Sequence, residues 1–128
     1  MKKLIIPVVL LFALKASAQP HKLVKLWETD SVEAIPESVL PDIKNNILYV
    51  SLIDGGGWDV DGKGGIAKLG ADGKNYQPDW VGGMNAPKGL GRHGNRIYAA
   101  DISEVVVVDI PGAKIIKKIA IEGASGLN

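Results

Sequence analysis

Along most of this chain apolar and polar positions alternate in short runs, and turn residues separate the runs. Alternation of this kind marks half-buried strands, whose successive side chains point to opposite faces. Residues 37–40, 47–53, 66–69 and 76–81 read as strands. Pro41 and Asn45-Asn46 turn the chain after the first, and Asp72-Gly73 makes a hairpin turn before the last. Residues 88–91, 96–101, 104–110 and 114–121 follow the same plan, with turns at His93-Gly94-Asn95 and Pro111-Gly112. The β-branched run Val105 to Val108 suits a strand buried on both faces. Residues 22–29 have strand character with imperfect alternation. No segment carries an amphipathic helical period, so the chain is predicted to be all-β.

The pattern is a repeat. Pro36-Glu37-Ser38-Val39 leads through Asn46-Ile47-Leu48-Tyr49-Val50-Ser51 to Ile66-Ala67-Lys68-Leu69. Pro87-Lys88-Gly89-Leu90 leads in the same way through Asn95-Arg96-Ile97-Tyr98-Ala99-Ala100-Asp101 to Val105-Val106-Val107-Val108-Asp109. Ser125-Gly126-Leu127-Asn128 looks like the opening of a third copy. A strand-rich unit recurring about every 40–50 residues is the sequence sign of a β-propeller. Blade one is expected at about residues 36–82, blade two at about 87–122 and the start of blade three at 123–128. A propeller closes with about 4–8 blades, so residues 19–128 read as the N-terminal portion of a larger ring. Residues 22–29 would then complete the last blade. Each blade buries its faces against its neighbours, so an end blade leaves one apolar face wet.

The first 18 residues stand outside this pattern. Lys2-Lys3 precede an apolar run over residues 4–14, and Ala16-Ser17-Ala18 supplies small residues before Gln19. The run falls short of the about 20 residues that span a bilayer. Residues 1–18 therefore read as a secretory signal peptide, and the mature protein as exported, periplasmic or extracellular. Without Lys2, Lys3 and Lys15 the chain holds 12 basic and 14 acidic residues, a net charge of −2. No basic face stands out, which argues against a nucleic-acid partner. Cysteine is absent, which excludes disulfides, a Cys/His zinc site and a lipid anchor behind the leader. No membrane anchor is expected after cleavage.

One insertion breaks the repeat. Residues 54–65 are rich in glycine and separate the second and third strands of the first unit, where the second unit has only Ile102-Ser103. Long loops of this kind are often functional; the plain alternative is a flexible surface hairpin. Asp54, Asp59 and Asp61 lie in it, and Asp59-Val60-Asp61-Gly62-Lys63 is patterned like the start of a calcium loop. Lys63 stands where an oxygen donor belongs, and no Glu closes the loop. Lys63 is followed by Gly64, so the glycines do not form a phosphate loop. The histidines are His21, beside the cleavage site, and His93, in a turn. There is no Gly-x-Ser-x-Gly elbow, which argues against a serine nucleophile. Nothing points to a nucleotide, haem or flavin.

Glu37 is the sharper candidate. It opens an innermost strand, and in a propeller such positions point toward the axial channel. A carboxylate there, joined by oxygens from other blades, makes a hard-cation site with open positions. The plain alternative is an exposed Glu beside Pro36.

At Pro36-Glu37-Ser38-Val39, Asn46 to Ser51 and Gly123-Ala124-Ser125-Gly126-Leu127-Asn128 the chain resembles the gluconolactonase/regucalcin (senescence marker protein) propellers, most of all their exported bacterial relatives. The resemblance covers roughly residues 23–128 and implies a six-bladed ring in full. It implies a divalent cation such as calcium, with Glu37 as a metal ligand. It also implies that Asn128 contacts substrate and metal-bound water. The remaining Asn and Asp ligands of the family lie in later blades. The family's Glu is usually followed by Gly-Pro, and here Ser38-Val39 follow. The implied activity is metal-assisted hydrolysis of sugar lactones or similar esters, with a small-molecule substrate. The alternatives are a non-catalytic propeller that binds a small molecule or protein partner, and a scaffold of the NHL kind.

Overall fold

The computed structural model describes residues 22–29 and 34–128. The leader at residues 1–18 and His21 lie outside the described residues. Eight strands form two four-stranded antiparallel sheets, each with its strands side by side in chain order. The first sheet holds β1 (Pro36–Asp42), β2 (Ile47–Leu52), β3 (Gly64–Gly70) and β4 (Gln77–Met84). The second holds β5 (Pro87–His93), β6 (Arg96–Asp101), β7 (Glu104–Asp109) and β8 (Lys114–Ala120). Among the described residues the only helix is a 3-10 turn, Ile43–Asn45. The all-β expectation is met.

The differences in detail have local causes. Pro41 lies inside β1 and does not turn the chain. The turn comes at the 3-10 segment, where the Asp42 side chain accepts from the Asn45 amide and Asn46 takes the left-handed conformation that closes it. β3 begins at Gly64, so the glycines at the end of the insertion join the sheet. Residues 22–29 form no strand. They pair with no sheet edge: Leu23, Val24 and Leu26 are exposed, and the segment is held through Trp27, whose Nε1 donates to the Ala71 carbonyl at 3.0 Å.

The sheets pack face to face. Tyr49, Ile66, Val81 and Met84 of the first meet Ile97, Ala99, Val106 and Val108 of the second in one core. Alternation explains the set: Ile66 pairs with Val81 across β3 and β4, and Ile97 with Val108 across β6 and β7. The Tyr49 and Trp80 rings add a tilted contact, centroids 4.9 Å apart. At the far end Arg92 of β5 makes an ion pair with Asp42 of β1. The nearest approach between the sheets is through their first strands, β1 and β5.

Each sheet has a second apolar face. On the first, Val50, Leu52, Ala67 and Leu69 cluster with Leu48 and Tyr76. Trp27 and Val39 border a cleft of about 180 Å³ on that face. On the second, Val107 is buried, while Tyr98, Ala100, Val105 and Ile119 around it stay half-buried with no sheet above them. Over Val106 to Val108 both faces of the strand are buried, as expected, and only Val105 is half-buried.

Candidate functional site

Antiparallel pairing sets which loops share an end. The end of β2 lies beside the start of β1, with Leu52 opposite Pro36. The end of β6 lies beside the start of β5, with Asp101 opposite Pro87. The 53–63 loop therefore gathers at the end where the first strands begin. The polar cleft of about 330 Å³ lined by Asn45, Asn46, Asp72 and Asn75 lies at the opposite end.

Both first strands open with a register shift. In β1 it falls between Pro36 and Ser38, which leaves Glu37 as the extra residue. The Ser38 amide donates to the Oγ of buried Ser51 at 3.0 Å, which fixes the backbone beside the bulge. The Glu37 side chain is exposed and has no partner among the described residues. In β5 the shift falls between Pro87 and Leu90 and contains Lys88 and Gly89. Gly89 is there for close approach: a Cβ on it would lie 3.1 Å from the Asn128 backbone carbonyl carbon. Asn128 thus adjoins the second bulge, and Leu127 makes an antiparallel bridge to Ile102.

Lys88 occupies in the second unit the place of Glu37 in the first, with the opposite charge and the opposite exposure. It is 5% exposed. Its Nζ donates to the Gly57 carbonyl at 2.6 Å and the Ala86 carbonyl at 3.1 Å. It also lies 4.0 Å from the centroid of the Trp58 ring. An ammonium has three donors and no acceptor; two of the donors serve these carbonyls, and the ring lies within cation–π range. A desolvated cation–π contact contributes about 2 kcal/mol or more. Lys88 is thereby anchored to the insertion and to the link before β5.

Asp101 is fully buried. It accepts from the Asn85 and Ala86 amides, both at 2.8 Å, and from Asn85 Nδ2 at 3.4 Å. Both its oxygens are thus engaged by the residues that lead into β5. Asn85 in turn accepts from the Gly62 amide at 3.2 Å through Oδ1. The insertion is consequently tied down twice, at Gly57 by Lys88 and at Gly62 by Asn85.

The three insertion aspartates do not converge, and the partners of the Asp61 carboxylate lie within the loop. Asp61 accepts from the Lys63 amide at 3.1 Å, and the Lys63 ammonium lies 3.3 Å from Oδ2. The Lys63 amide, then its ammonium, hold the Asp61 carboxyl below the usual carboxylate range. Asp59 closes a turn through its amide to the Gly56 carbonyl at 3.0 Å. Asp54 takes a positive φ of 45° and donates its amide to Ala34. Among the described residues no three His, Asp or Glu side chains converge on one point. His93 is exposed at the end of β5, away from Glu37.

The structure brings Glu37, Asn128 and the insertion to one end of the stack. Lys88, Trp58, Asn85 and Asp101 join them there without having been singled out as site residues in the sequence. Two signals were available: a Lys standing where the repeat has Glu37, and a Trp among glycines. The chain matches no family model, no curated protein and no solved structure.

Proposed function

We propose that the two sheets are the first two blades of a six-bladed propeller, and that the complete ring is an exported, metal-dependent hydrolase of sugar lactones or similar esters. One observation carries the reading. Glu37 is an exposed carboxylate, without a partner among the described residues, displayed by a clamped bulge at the end where Asn128 also lies. The packing of β1 on β5 supports a shared centre for the first strands. Carboxylate and amide oxygens are hard donors that suit a divalent cation such as calcium. Glu37 would hold the cation and Asn128 would orient substrate beside it, with the other ligands supplied by later blades. When bound, the cation polarises a lactone carbonyl and lowers the pKa of a coordinated water. Glu37 serves as a ligand and not as the base.

Glu37→Gln in the complete protein tests this. Calcium affinity and lactone hydrolysis should fall together, by at least the roughly 10–100-fold that loss of an outer-sphere partner costs. Rates equal to those of the unaltered protein would remove Glu37 from the mechanism.

A second reading has its own observation. The counterpart of Glu37 is a lysine whose charge is consumed by the insertion. That favours a non-catalytic, NHL-like propeller binding a small molecule or a protein partner through this end. Ligand binding that survives chelation, with no hydrolysis, would select it.

A further inference from the structure

We infer that the insertion is a fixed roof over the end of the stack where Glu37 stands, that Lys88 is the positioning residue that holds it, and that Trp58 is the wall it presents to a ring-shaped, polyhydroxylated ligand. The inference deepens the proposed function, on which its choice of ligand rests.

The Lys88 ammonium is buried, and burying a charge is costly unless it is paired. Two of its three contacts, the Gly57 carbonyl and the Trp58 ring, belong to the insertion. If the loop lifts, the ammonium loses both. Loop order and charge burial are therefore one event. The second tie, Gly62 to Asn85, rests on fully buried Asp101 and fixes the other end of the loop. A glycine-rich segment that alone would sample many conformations is held by Lys88 of the second sheet and by Asn85 in the link between the sheets.

Trp58 shows where the roof reaches. Its ring covers Lys88 of the second unit, and its far edge lies 3.6 Å from where a Cβ on Gly126 would stand. A loop from the first sheet thus crosses the second and touches the chain leading to Asn128. Trp58 nevertheless remains 57% exposed. A large aromatic surface held at the same end of the stack as the exposed Glu37 carboxylate is a stacking wall for the C–H face of a sugar ring. Glu37 and Asn128 meet the polar groups of such a ligand; Trp58 meets its apolar face.

The test uses the complete protein with Trp58→Ala, Lys88→Met, Lys88→Arg and the Trp58→Ala/Lys88→Met pair. Hydrogen exchange is read at the amides of residues 55–63, and glucono-δ-lactone hydrolysis is resolved into KM and kcat. Lys88→Met should speed exchange in the loop by about tenfold or more, and Lys88→Arg should restore most of the protection. Trp58→Ala should raise KM about tenfold, with kcat and calcium affinity little changed. The pair should be no worse in KM than Trp58→Ala alone, because Lys88 acts through Trp58. Unchanged exchange in Lys88→Met, or unchanged KM in Trp58→Ala, overturns the inference. If the unaltered protein hydrolyses no lactone, the proposed function falls by itself. Exchange still decides the roof, and quenching of indole fluorescence by gluconate, lost in Trp58→Ala, decides the wall. No quenching in the unaltered protein rejects it.

Discussion

Asp42 shows how one buried carboxylate joins two sheets. It accepts from Asn45 within its own turn at 2.7 Å and pairs with Arg92 of the other sheet. The Asn45 amide group first, and then Arg92, hold its carboxyl below the usual carboxylate range against the opposing effect of burial. A depressed pKa means that the folded state favours the charged form. The resulting stability is complete above the unfolded carboxylate value of about 3.9 and is lost as pH falls through the lower folded value. Asp42→Asn should therefore lower the urea midpoint at neutral pH. It should also flatten the loss of stability below about pH 4. An unchanged acid slope would show that the pair contributes nothing to joining the sheets. Glu37 presents the opposite case: it is exposed, with no partner among the described residues.

At the scale of elements, the two bulges do different work with similar backbones. The first is clamped by Ser51 and displays Glu37. The second is clamped by Asp101, whose carboxylate takes the two amides that lead into β5. Asp101→Ala would leave those amides buried without acceptors, at about 1–3 kcal/mol each. The expected result is a large fall in the urea midpoint together with a looser 53–63 loop, because Asn85 loses its support. A midpoint like that of the unaltered protein would mean that water replaces the carboxylate. The strands were legible in the sequence because alternation and turn residues act locally. The bulges were not, since a register shift depends on the partner strand. The buried roles of Lys88 and Asp101 were not legible either, because a charged residue reads as exposed until its partners are known.

For the whole molecule, the decisive feature is apolar surface that the two sheets cannot cover for one another. Val39 is 57% exposed on the outer side of the first sheet. Tyr98, Ala100, Val105 and Ile119 form the corresponding patch on the second. A blade expects a neighbour on each side. A segment of residues 22–128 expressed alone should self-associate and bind hydrophobic dyes. Light scattering that instead gives a monomer with a cooperative melt would show that these two sheets suffice as a domain, and would weaken the propeller reading.

The sequence alone determined what depends on neighbours along the chain: an all-β fold, two copies of one four-stranded unit, the break made by the insertion, and Glu37 at the head of the first strand. The tertiary structure decided what depends on distant residues. It stacked the two units through Ile66 and Val106, left residues 22–29 without a strand partner and brought the insertion across to Lys88. The physical reason is the range of the forces involved. Strand period and turn geometry are set within a few residues. Which charge is buried, and which is left free to bind, is settled only when segments far apart in sequence compete for the same carbonyls and rings.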